Sequence, residues 1–225
     1  MVALLVLLTI IVFLTVDHFV QRRRSQVVAA HEQAFLPVSP SFELTSYRTP
    51  AGVYFDPGHT WLFLEETGIA RVGINEFAQA LVGSIDDIAT LAVGEEVHRG
   101  DILATLWHGD RSATFRSPID GVVSEINADL LHRGGLHGAE PYTAAWLYKI
   151  TPRDTSTFPE RMHLGEEAKR WLKRELRRLK VFLATVAPEH PVLGQTMQDG
   201  GLPAAGLIDH LQEAEWNKLH EKFFG

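Results

Sequence analysis

Between Thr49 and Pro152 the chain runs through short, partly alternating apolar segments, each closed by glycine, proline, aspartate or asparagine. Thr60–Leu64, Ile69–Ile74, Ile102–Leu106, Gly121–Ile126 and Trp146–Ile150 are the clearest. Runs this short make poor globular helices, and alternation at period two sends one set of side chains to one face of a sheet. The pattern predicts a small β-barrel or sandwich. One interruption is expected at Glu76–Val82, a helical insert after Asn75, whose side chain suits a helix N-cap.

The ends of the chain have a different character. Val2–Val16 is apolar apart from Thr9 and Thr15, and the run reaches Val20 before Arg22, Arg23 and Arg24. A bilayer span needs roughly 20 mostly apolar residues, so residues 1–24 are just long enough for a single transmembrane anchor. A cleavable signal peptide carries its positive charge ahead of the apolar core, and here the charge follows it. The three arginines predict a cytoplasmic carboxy-terminal bulk and a contact with anionic lipid. Residues 25–48, with Pro37 and Pro40, read as an extended stalk. After Pro152, Leu172, Leu176, Leu179, Leu183 and Val186 recur at helical spacing, with Arg170, Lys173, Arg174, Arg177 and Arg178 opposite them. Pro188 ends that helix, and a glycine-rich connection leads to a last helix at about Ala205–Lys222, with Leu207, Leu211 and Ala214 on one face. The organisation expected is therefore an anchor at 1–24, a stalk at 25–48, a β domain at 49–152 and a two-helix extension at 153–225.

Several motifs in the β region agree in order with one family. His59-Thr60-Trp61, Val72-Gly73-Ile74 with Phe77-Ala78-Gln79 and Leu81-Val82-Gly83, the spacing of Leu91, Gly94, Val97 and Gly100, Ser117-Pro118-Ile119-Asp120-Gly121-Val122-Val123, Asn127, and Trp146-Leu147-Tyr148-Lys149-Ile150 together resemble the H protein of the glycine cleavage system. The resemblance covers roughly a hundred residues and implies a mainly β barrel-sandwich hybrid of the lipoyl-domain type. It also implies a hairpin whose tip carries lipoate on a lysine before the Ser-Pro turn. Counting back from Ser117-Pro118 puts Asp110 at that position. Attachment of lipoate or biotin requires a lysine amine, which the always-charged guanidinium of arginine cannot replace. The first lysine in the chain is Lys149. No lipoyl cofactor is expected.

The segment Trp107–Ser112 carries residue types suited to other chemistry. His108, Asp110, Arg111 and Ser112 bring acid, base and nucleophile types together, but neighbours on a tight turn seldom converge on one reacting atom. Cysteine is absent, which removes disulfides, thiolate nucleophiles and cysteine-type metal sites. His132, His137 and Glu140, or His210 and His220, lack the spacing of a metal site, so no metal is expected. A formal net charge of -7 argues against nucleic acid as partner. Trp107 and Arg111 at the hairpin, and Trp171, Arg174 and Arg178 on the basic helix, are the candidate partner contacts.

These features predict no enzyme activity. The expected role is a scaffold or accessory subunit of a membrane protein complex, respiratory or photosynthetic for example, at the cytoplasmic face of a bacterial inner membrane. Two alternatives follow from the same residues. One is a decoy for glycine-cleavage or lipoate enzymes, which requires Trp61 and Phe77 to be exposed. The other is an adaptor of a transport or secretion machine.

Overall fold

The computed structural model describes residues 47–132, 136, 139–156, 158–186 and 206–224. The anchor at 1–24 with Arg22, Arg23 and Arg24, the stalk up to residue 46, Pro188 and the glycine-rich connection, and His137 lie outside the described residues. No helix among the described residues is long and apolar enough to cross a membrane.

The chain folds mainly as antiparallel strands with helices after them. In order these are β1 (Val53–Phe55), β2 (Thr60–Leu64), β3 (Ala70–Ile74), α1 (Glu76–Val82), β4 (Asp87–Thr90), β5 (Glu96–Val97), β6 (Ile102–His108), β7 (Arg111–Arg116), β8 (Gly121–Ile126), α2 (Ala128–His132), β9 (Trp146–Pro152), α3 (Phe158–Arg161), β10 (His163–Leu164), α4 (Gly165–Val186), α5 (Leu207–His210) and α6 (Glu213–Phe223). Seven strands form one sheet in the order β10-β1-β2-β3-β9-β8-β5, and β4-β6-β7 form a second.

Local chemistry explains the main boundaries. The Asn75 carboxamide oxygen accepts from the Ala78 amide at 2.9 Å, so α1 begins where the N-cap was expected. Thr60, Trp61 and Leu62 are all buried, which requires cover on both faces of β2. Trp61 donates through Nε1 to the Ile74 carbonyl at 3.1 Å, fixing its ring across β3. Tyr148 joins the sheets. Its hydroxyl donates to the Leu103 carbonyl at 2.9 Å and accepts from the Leu91 amide at 3.0 Å, and burial pushes its phenol up to about 12.

Three expectations change. Arg48, placed at the end of the stalk, is held on the β domain by Glu76 at 2.6 Å and Glu140 at 2.6 Å, and Tyr47 packs edge-on against Phe77. β10 adds to the sheet edge from beyond Pro152, pairing Tyr54 with Leu164. The last helix is two helices. α5 stops at His210, Leu211 and Gln212 are extended, and α6 restarts with the Gln212 amide bound to Glu215 Oε2 at 2.7 Å. The restart turns Ala214 outward, and Trp216, Leu219 and Phe223 join Leu211 in the core.

Candidate interaction site at the β6–β7 hairpin

β6 and β7 close through Gly109 and Asp110, with Trp107 opposite Ser112 and His108 opposite Arg111. Gly109 has φ of 55° at the first central position, where a tight hairpin turn calls for glycine. Its amide donates to Asp86 Oδ2 at 2.7 Å. Gly109 and Asp110 are exposed.

The rest of the hairpin is tied down. His108 Nδ1 lies 2.9 Å from both the hydroxyl and the carbonyl oxygen of Ser84, and Nε2 lies 2.5 Å from Asp209 Oδ1 on α5. β7 is the edge of its sheet, so alternate backbone groups face outward unpaired. Two side chains of α6 take them. Trp216 Nε1 donates to the Ser112 carbonyl at 2.9 Å, and the Thr114 amide donates to His220 Nε2 at 2.9 Å. Burial, with Arg116 nearby, pushes the His220 ring below its ordinary value, which keeps Nε2 available as an acceptor. Phe224 completes the cover, its ring 5.0 Å from Phe115.

A buried histidine sits where α4 and the carboxy terminus meet the β domain. His59 is fully buried among Phe77, Trp171, Phe223 and Phe224. Because Asn75 spends its oxygen on Ala78, its amide group donates to His59 Nδ1 at 3.1 Å, placing the ring proton on Nε2. Nε2 makes no hydrogen bond, and Glu175 Oε2 is 3.9 Å away. Desolvation and the Arg178 charge push the ring down to about 3, so this approach is not an ion pair. Glu175, itself buried, takes its cation from Arg178 at 2.7 Å.

The structure separates the expected contact residues. Trp107 and Arg111 are both half-buried, but the alternation of the strands puts Trp107 on the outer face with Ser112, and Arg111 on the face of His108 and Leu106. They do not form one tip surface. Trp171 packs into the core rather than standing on the surface: it is 5% exposed, stacked on His163 and packed on His59. Arg178 is occupied within the molecule, donating to Glu175 and to the Lys222 carbonyl at 2.9 Å and lying over the Phe223 ring. Arg174 remains exposed. His108, Asp110, Arg111 and Ser112 do not converge, since the His108 ring is directed to Ser84 and Asp209. Among the described residues no group of acidic residues and histidines is arranged to hold a metal ion. The α6 contacts to the hairpin have no local signal in the sequence, although Gln212 and Glu215 at the capping-box spacing mark where that helix starts.

The model of the glycine cleavage H-protein family matches residues 53–175. The chain belongs to that family. Among curated H proteins, it is 32% identical over 107 residues to the glycine cleavage system H protein of Hydrogenovibrio crunogenus, covering 48% of this chain and 83% of that protein. It is 31% identical over 118 residues to that of Prosthecochloris aestuarii, covering 52% and 92%. It is 35% identical over 111 residues to that of Pectobacterium atrosepticum, covering 49% and 85%. A crystal structure of the Mycobacterium marinum H protein aligns with 23% identity and a TM-score of 0.43 over 48% of this chain and 88% of that one. The H-protein match ends at Glu175, inside α4, so the α6 contacts to the hairpin lie beyond it.

The hairpin turn from Trp107 to Ser112 contains no lysine. Lys149, the first lysine in the chain, lies in β9 with Nζ 2.7 Å from Glu125 Oε2 and 5.2 Å from the centre of the Trp146 ring.

Proposed function

We propose that this H-protein family member is a non-lipoylated, membrane-anchored accessory subunit. In this reading it is not an enzyme, and it stabilises a membrane protein complex from the cytoplasmic side of a bacterial inner membrane. The observation that carries the reading is the missing amine. By resemblance Asp110 stands at the lipoyl-lysine position, and no lysine precedes Lys149. The hairpin is also held on its edge by Trp216 and His220, which suits a fixed structural part better than a swinging carrier. The apolar run 2–20 followed by Arg22, Arg23 and Arg24 supplies the anchor. A respiratory or photosynthetic complex is the expected class of partner. Burial of both Trp61 and Phe77 counts against the decoy reading, which needed them on the surface.

Purification of the chain from native membranes in mild detergent tests this directly. Stoichiometric integral-membrane subunits together with an unmodified intact mass are expected. A lipoyl adduct, or co-purification with soluble glycine-cleavage enzymes alone, would overturn it.

A further inference from the structure

α4 has one face in the core and another that is exposed among the described residues. Ala168, Trp171, Leu172, Leu176, Leu179, Phe182 and Leu183 are buried. At 100° per residue, Arg170, Lys173, Arg174, Arg177 and Val181 fall within about 100° of one another on the opposite side. All five are exposed, Val181 at 59%. The other basic residues with carboxylate partners on this helix are accounted for: Lys169 pairs with Glu166, and Arg178 with Glu175. Arg170, Lys173, Arg174 and Arg177 form no ion pair among the described residues. Glu166, one turn before Arg170, is the carboxylate that senses Arg170 and Lys173, and it is already bonded to Lys169 at 2.5 Å. Four cations are therefore concentrated on a chain whose net charge is -7.

We infer that this face of α4 docks on an anionic lipid surface. The inference rests on the anchored reading given above. Its first support is charge complementarity between four clustered cations and phosphate headgroups. Its second is the absence of an aromatic anchor: Trp171 and Phe182 are buried, and Val181 is the exposed apolar group of the face. A diffuse electrostatic contact with a bilayer needs no such anchor. Because the leucine face is already buried, the contact is electrostatic and sensitive to salt.

The absence of cysteine makes a single reporter possible. The full chain carrying Val181→Cys is reconstituted in vesicles of phosphatidylcholine alone or mixed with phosphatidylglycerol. Reaction of the thiol with a membrane-impermeant maleimide is then timed. Anionic vesicles are expected to slow labelling at least about fivefold, an effect abolished by high salt and by the added changes R170Q, K173Q, R174Q and R177Q. Equal rates in both vesicle types, with the protein floating with each, would overturn the inference and leave the anchor intact. Protection retained by the four-glutamine variant would overturn it as well. Protection in native membranes but not in anionic vesicles would assign the face to a protein partner instead. Failure to float with either vesicle would overturn the anchored reading on which the inference stands.

Discussion

At the turn before β2, His59 combines a positive φ of 65° with complete burial and a neutral ring. Its ring is pushed down to about 3 from an ordinary value of 6.5, chiefly by desolvation and then by Arg178. Above pH 6.5 both folded and unfolded chains carry this ring uncharged, and it adds no pH dependence. As pH falls below 6.5 the unfolded chain binds a proton that the folded chain does not, so stability is lost progressively towards pH 3. The slope from this group approaches about 1.4 kcal/mol per pH unit. Urea melts at pH 7.5, 6 and 5 should show the decline, and His59→Asn, which tolerates the left-handed backbone, should flatten it. A second residue-scale constraint lies at Gly73, where a Cβ would come within 2.8 Å of the fully buried Trp61 ring. Gly73→Ala should destabilise the fold by about 1–3 kcal/mol through overpacking, read as a lower urea midpoint.

Among the elements, α6 and β7 form a pair that no ladder hydrogen bond joins. His220→Ala leaves the Thr114 amide without its acceptor, at a cost of about 1–2 kcal/mol. Faster hydrogen exchange at Thr114, measured against the natural chain at the same pH, is the specific readout. Trp171→Ala should cost about 3–5 kcal/mol, as expected for a core aromatic rather than a surface contact. The elements themselves were largely legible in the sequence. Thr60–Leu64 and Gly121–Ile126 are strands with the expected ends, and Asn75 caps α1 as its side chain suggests. The leucine stripe of α4 is buried along its length. What escaped was non-local or too short to carry a period. β10 has two residues, and its existence depends on β1. The break before α6 was hidden by an apolar spacing that continues through Leu211. Trp107 and Arg111 look adjacent on a turn, yet the two-residue period of strands sends them to opposite faces. His59 looked like part of a motif, and only the folded chain shows that its neighbours come from α1, α4 and the carboxy terminus.

For the molecule as a whole, residues 41–225 form one compact unit. The core runs without a break from Trp61 and Phe115 to Trp216, Leu219 and Phe224. Thermal unfolding should therefore show a single transition, coincident by tryptophan fluorescence and far-ultraviolet circular dichroism. Truncation after Val186 should remove the cooperative transition and expose dye-binding apolar surface. The same architecture has a consequence for synthesis. Thr114 and Ser112 receive their partners from residues more than a hundred positions later, so a growing chain displays an open strand edge until His220 has left the ribosome. At about 5–20 residues per second that interval lasts several seconds, in which nascent chains on one messenger can join edge to edge. Slowing translation over the final helices should then raise the insoluble fraction, and a chaperone that waits at the exit tunnel should lower it.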